Sequence, residues 1–216
     1  MASPLQNIPV VTRNLLYVNV IMFVATLINP AFMKDTFAMA FPLATDFRWW
    51  QPLTHMFMHD GFLHIFFNMY TLVMSGRVVE RALGTKKFIW FYLITGFGAA
   101  LLHTGVEFLQ VQALLKQYPG VDPQAIYNSI PGVLGASGAV YGVLVAFAML
   151  YPQARLTLLF PPITLDAKWW VIIFIGIELV TGITGTQMGV AHFAHLGGAL
   201  FGWLLIRYWR KTRQLY

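Results

Sequence analysis

Apolar positions fall into six runs, at about 13–28, 61–83, 87–109, 133–151, 168–183 and 190–208, and these predict six helices. The runs approach or exceed the ~18 apolar residues that mark a bilayer-crossing helix. Asn29-Pro30, Gly84, Tyr151-Pro152 and Pro161-Pro162 interrupt them as helix stops or loops. Residues 30–60 are too polar to span and too aromatic for a free loop, with Trp49-Trp50 among several prolines. They read as a segment lying in the membrane interface. Residues 110–131, holding Pro119-Gly120, read as a polar loop. Residues 184–189 read as a short, uncharged connection expected to cap a cavity and to move. No internal repeat is visible. The pattern describes an all-α polytopic membrane protein, residues 1–216 forming a single domain of six transmembrane helices.

Composition agrees and narrows the chemistry. The chain is 58% hydrophobic and 10% charged, far too apolar for a soluble domain of 216 residues. It has no cysteine, which excludes disulfides, thiolate zinc sites and cysteine nucleophiles. Pro4 and Pro9 interrupt any cleavable signal pattern, so the first helix is expected to act as an uncleaved signal anchor. The net charge of +6 does not point to nucleic acid; it reflects where the basic residues sit. Six helices put both termini on one side. Only Lys34, Arg48 and Lys116 fall in the opposite connections, so the termini are expected in the cytoplasm.

One stretch stands out, Gly135-Ala136-Ser137-Gly138-Ala139-Val140-Tyr141-Gly142. By itself it suits a small-xxx-small helix contact with an incidental serine. The nucleophile elbow needs Gly-x-Ser-x-Gly, and Ala139 occupies the last position. The other polar side chains within the apolar runs are His64, Asn68, His103, Glu107, Glu178, His192 and His195. Ionisable groups in a bilayer need a partner or a role. A rise of ~1.5 Å per residue puts His64 ~6 Å, Asn68 ~12 Å, His195 ~9 Å and Ser137 ~9 Å below the outer surface. The four share one outward layer, and a water-accessible cavity opening outward is expected there. His195, Gly198 and Gly202 lie at i, i+3 and i+7, a face able to approach Gly138 and Gly142.

Gly135-Ala136-Ser137-Gly138, Ala194-His195-x-x-Gly198-x-x-x-Gly202 and His55-x-x-x-His59-x-x-x-x-His64-x-x-x-Asn68 together resemble the rhomboid family of intramembrane serine proteases. Glu80-Arg81-x-x-Gly84 is similar as well. The resemblance implies a rhomboid-like bundle of the bacterial six-helix type, with the interfacial segment between helices 1 and 2, and without the extra soluble N-terminal domain of some members. It implies an endopeptidase acting on transmembrane protein substrates in the lipid bilayer, expected in a bacterial inner membrane. It makes Ser137 the nucleophile and His195 the base of a dyad that needs no acid. His64, Asn68 and the Ser137 N–H would bind the oxyanion. Tyr141 would lie beside His195, with Gly135, Gly138, Gly198 and Gly202 in support. No cofactor and no metal is expected. Gln51 departs from the arginine that many bacterial members carry there.

Chemistry supports that assignment. Serine needs an adjacent base to attack, and a helix N-terminus favours a developing oxyanion. His55 and His59 are read as hydrogen-bonding loop residues in preference to metal ligands. His103 with Glu107, and Glu178, are read as structural hydrogen-bonding groups, and His192 as a group near the cavity mouth. A pseudoprotease or a histidine-lined transporter are the competing readings. The first is disfavoured because every catalytic position is filled, the second because helices 2, 4 and 6 turn apolar below the layer.

Overall fold

The structure is a computed structural model, and it describes residues 7–158, 161–185 and 191–215. Its helices are α1 (Val10–Ile28), α2 (Pro30–Phe37), α3 (Gln51–Thr54), α4 (Phe62–Leu83), α5 (Thr85–Gln117), α6 (Pro123–Ser129), α7 (Ser137–Leu150), α8 (Ala167–Thr184) and α9 (His192–Lys211). Among the described residues, α1, α4, α5 and α8 are the four helices long and apolar enough to cross a membrane. Their outer faces are strongly apolar, with Ile21, Leu27, Ile177, Val180 and Ile183 exposed. A soluble protein would hide such faces, whereas lipid covers them without cost.

Several expected boundaries move. The third helix does not stop near residue 109 but runs to Gln117, over part of the expected polar loop. Residues 110–117 are mostly good helix formers, and Val111 is buried. Within the rest of that loop Asp122 caps α6, its carboxylate accepting from the Gln124 N–H, and Pro123 takes the first turn. The fourth helix begins at Ser137 instead of residue 133. Pro131 and Gly132 precede an extended stretch in which Val133 and Met39 exchange two backbone hydrogen bonds, of 2.8 and 2.9 Å. The 152–168 loop carries a feature outside an all-α description. Strands β1 (Arg155–Thr157) and β2 (Thr164–Asp166) pair antiparallel. Most of the 184–189 connection, residues 186–189, lies outside the described residues.

α1 starts at Val10, three residues earlier than expected, because a distant side chain caps it. Buried Glu80, near the end of α4, accepts from the Val11 N–H at 2.9 Å, the Thr12 N–H at 2.7 Å and the Thr12 hydroxyl at 2.7 Å. The first turn of a helix leaves backbone N–H groups without intrahelical acceptors, and a carboxylate there also complements the helix dipole. One residue thus ties α1 to α4.

α7 is the central rod of the bundle. Gly138, Ala139, Val140 and every residue from Gly142 to Ala148 are buried. Its approach to α9 is set by glycine. A Cβ at Gly198 would run into the Gly138 carbonyl. A Cβ at Gly202 would lie 2.8 Å from the Gly142 Cα, and one at Gly142 3.0 Å from the Gly198 carbonyl oxygen. The two backbones touch, which no larger side chain permits. α5 closes on the same seam, with Ala99 against Gly138 and Thr95 against Gly142.

Three substitutions test the packing. Glu80→Ala should destabilise the protein by about 1–3 kcal/mol, because it strands buried N–H donors. Gly198→Ala should cost about 1–3 kcal/mol by forcing the α7–α9 seam apart. Gly176→Ala, where a Cβ meets nothing within 4 Å, should be neutral or stabilise by up to about 1 kcal/mol. Unfolding in detergent micelles measures all three. A Gly198→Ala midpoint equal to wild type would mean that α7 and α9 separate freely.

Candidate active site

The site begins with a change in backbone conformation. Residues up to Ala136 are non-helical, and Ser137 is the first residue of α7. Gly135 makes the turn with φ of 140°, a conformation that L side chains rarely adopt. Its N–H donates to the His55 carbonyl at 2.9 Å. A Cβ there would also crowd the His64 Nε2 at 3.0 Å and the Ser137 Oγ at 3.4 Å. The serine is therefore held at a helix N-terminus, where unpaired N–H groups and the positive dipole end face the space around Oγ.

His195 lies in the first turn of α9, and its Nε2 is 2.8 Å from the Ser137 Oγ. The glycine seam sets this distance, since Gly198 sits one turn beyond His195 and faces Gly138. Tyr141, one turn beyond Ser137, stacks on the imidazole with centroids 4.4 Å apart and planes inclined by 4°. The stack fixes the ring plane. Sequence spacing puts Ser137 and His195 in one layer with Tyr141 one turn from Ser137 on the same face, and the fold brings the three together.

His64 reaches the site from α4. Its Nδ1 accepts from the Asp60 N–H at 3.4 Å, which leaves Nε2–H as a donor beside Gly135 and Ser137. Asn68 follows one turn along α4 and is buried. The His59 ring meets the His64 ring edge-on at 5.0 Å. Burial pushes His55 down to about 4 and His59 down to about 3, so both rings are neutral at physiological pH. The His55 Nδ1–H donates to the Gln51 carbonyl at 3.0 Å. A crevice of ≈ 10 Å³, room for about one water, abuts Ser137 between His55, Leu134, Gly135 and Ala194.

Gln51 braces the segment before α3. Its Oε1 accepts from the Ala40 and Arg48 N–H groups at 3.2 and 3.0 Å, and its Nε2 donates to the Asp46 carbonyl at 3.3 Å. A neutral amide with both donor and acceptor serves this turn of backbone groups well. His103 and Glu107 lie 3.0 Å apart, one turn from each other on α5.

Two expectations need correction. His192 is not at a cavity mouth: it is buried, and its Nδ1 is 2.6 Å from the Glu178 Oε2. Glu178 is more than a tie within the bundle. Its Oε1 accepts from the Tyr141 hydroxyl at 2.6 Å and lies 2.9 Å from the His195 Nδ1. A carboxylate thus stands beside the His195 ring on the side away from Ser137. Depth counting flagged Glu178 as buried but could not tell which way α8 turns it. Both imidazoles address the carboxylate through Nδ1, and no three described His, Cys, Asp or Glu side chains are arranged to hold a metal ion.

Comparison with known proteins adds an independent observation. Residues 46–212 match the model of the Rhomboid domain, a stretch that contains every site residue above. The chain is 31% identical over 159 residues to Rhomboid protease AarA of Providencia stuartii, covering 73% of this chain and 54% of that protein. It is 29% identical over 163 residues to Rhomboid protein 1, mitochondrial, of Saccharomyces cerevisiae, covering 73% and 42%. It is 28% identical over 159 residues to RHOMBOID-like protein 4 of Arabidopsis thaliana, covering 72% and 33%. The chain therefore spans about half or less of the length of these relatives. With the domain matched across most of its length, the chain belongs to the rhomboid family.

Proposed function

We propose that the chain is an intramembrane serine endopeptidase that cleaves transmembrane protein substrates through an acyl-enzyme. The observation that carries this reading is the 2.8 Å contact between the Ser137 Oγ and the His195 Nε2 at the half-buried start of α7. His195 takes the Ser137 proton as Oγ bonds to the scissile carbonyl carbon. The carbonyl π pair moves to oxygen, where the Ser137 N–H, the His64 Nε2–H and Asn68 stabilise it. The C–N bond then breaks as His195 returns the proton to the leaving amine, leaving an ester on Ser137. Water, activated by the same imidazole, hydrolyses the ester.

The arrangement in the bilayer is part of the proposal. α7 and α9 join α1, α4, α5 and α8 as a six-span bundle, with residues 30–60 in the outer interface. Arg77, Arg81, Lys86, Lys87, Arg207, Arg210 and Lys211 gather on the side of the termini, which supports a cytoplasmic placement there. Ser137 then opens outward. The likeness to the Providencia protein favours a bacterial inner membrane. Suitable substrates are helices that unwind easily, with a small residue before the scissile bond.

Purified protein in liposomes, given a panel of single-pass substrates, tests the proposal. Wild type should cleave at least one of them and label with a fluorophosphonate. Ser137→Ala should lose both, by more than about a thousandfold, while keeping its unfolding midpoint. Cleavage at the wild-type rate by Ser137→Ala would remove the protease assignment. His64→Ala should lower kcat by about 10²–10³, the usual effect of deleting one oxyanion donor. An unchanged kcat would place the oxyanion elsewhere.

A further inference from the structure

We propose that Glu178 is a positioning residue for His195, the carboxylate that orients the imidazole and stabilises the imidazolium formed when Ser137 gives up its proton. This rests on the protease reading above. Glu178 sits at the junction of three helices: it projects from α8 and meets Tyr141 of α7 and both His192 and His195 of α9. A carboxylate buried among apolar helices is costly unless its lone pairs are used. Here both oxygens are engaged, and the engagement is directional.

The oxygen that faces His195 is also the one gripped by the Tyr141 hydroxyl. Tyr141 therefore holds the imidazole twice, through its ring stack and through the carboxylate beside it. His192 holds the other oxygen at 2.6 Å, which stops the carboxylate from swinging away. Ser137 and Glu178 then address opposite nitrogens of one imidazole, at 2.8 and 2.9 Å. With the proton on Nδ1, on the carboxylate's side of the ring, the Nε2 lone pair faces the serine, the tautomer a general base requires. The Nδ1 approach lies off the N–H axis, so it is a bent contact and its effect is mainly one of charge. That effect grows when the ring becomes cationic. The carboxylate acts through its charge, and no proton passes to it.

The test uses full-length protein in liposomes with a cleavable single-pass substrate. Glu178→Gln keeps the shape and removes the charge. It should lower kcat by about a hundredfold or more, with KM within about twofold, because Glu178 faces the base and not the scissile bond. Fluorophosphonate labelling of Ser137 should slow in parallel. Glu178→Asp, which restores the charge, should recover at least about a tenth of the wild-type kcat. Tyr141→Phe keeps the carboxylate and the ring stack; it should lower kcat by about tenfold without lowering the unfolding midpoint, and it serves if Glu178→Gln does not fold. A Glu178→Gln kcat within threefold of wild type overturns the inference. So does equal loss in Glu178→Gln and Glu178→Asp with matching falls in unfolding midpoint, the mark of a purely structural role. Wild type that neither labels nor cleaves overturns the protease reading as well, whereas active wild type beside unaffected Glu178→Gln overturns this inference alone.

Discussion

Backbone contact between α7 and α9 is the constraint on which the rest of the molecule depends. Gly138 and Gly142 meet Gly198 and Gly202 with no side chain between them. Lipid supplies no hydrophobic drive for helices to associate, so close van der Waals contact must hold them. The same contact decides chemistry. Ser137 precedes Gly138 by one residue, and His195 precedes Gly198 by one turn. Wherever these glycines lock, the serine and the histidine are set at hydrogen-bonding distance.

A bundle this apolar has to treat each buried polar group as a separate problem, and three side chains answer it in one way. Glu80 accepts the orphan N–H groups at the start of α1. Gln51 satisfies backbone groups of the 40–48 segment from its buried position. Glu178 collects donors from two neighbouring helices. Each replaces water with a fixed partner, and Glu80 and Glu178 in doing so join segments far apart in sequence. Polar groups that would weaken a membrane helix in isolation become the cross-links that specify its neighbours.

The start of α7 follows the same logic in reverse. Its preceding backbone is irregular, and irregular backbone buried in a membrane protein must find its partners within the protein. Val133 pairs with Met39 and Gly135 with His55, so the chain before Ser137 is satisfied without helix. The helix N-terminus is thereby free to present its N–H groups to the space around the Ser137 Oγ. Neutral, buried His55 and His59 hold this wall without adding charge next to the base.

The sequence by itself determined the membrane class, the approximate place of the long apolar helices and the family, and it singled out Ser137 and His195. Apolar run length, helical periodicity and ordered motifs are local properties, and they survive without coordinates. The apolar run opens at residue 133, four residues before α7, because Pro131 and Gly132 weaken a helix without saying where the next begins; the reading of Ser137 as a helix start is the one the structure bears out. Only the tertiary structure decided the remaining partners. The Glu80 cap on α1 spans 69 residues in the chain, the Gly135–His55 bond 80 and the Tyr141–Glu178 bond 37. The rotation of α8 about its axis directs Glu178 to Tyr141, His192 and His195 instead of to lipid, and that rotation is set by packing against α7 and α9. Contacts of this kind depend on how helices turn against one another, which no spacing along a single helix encodes.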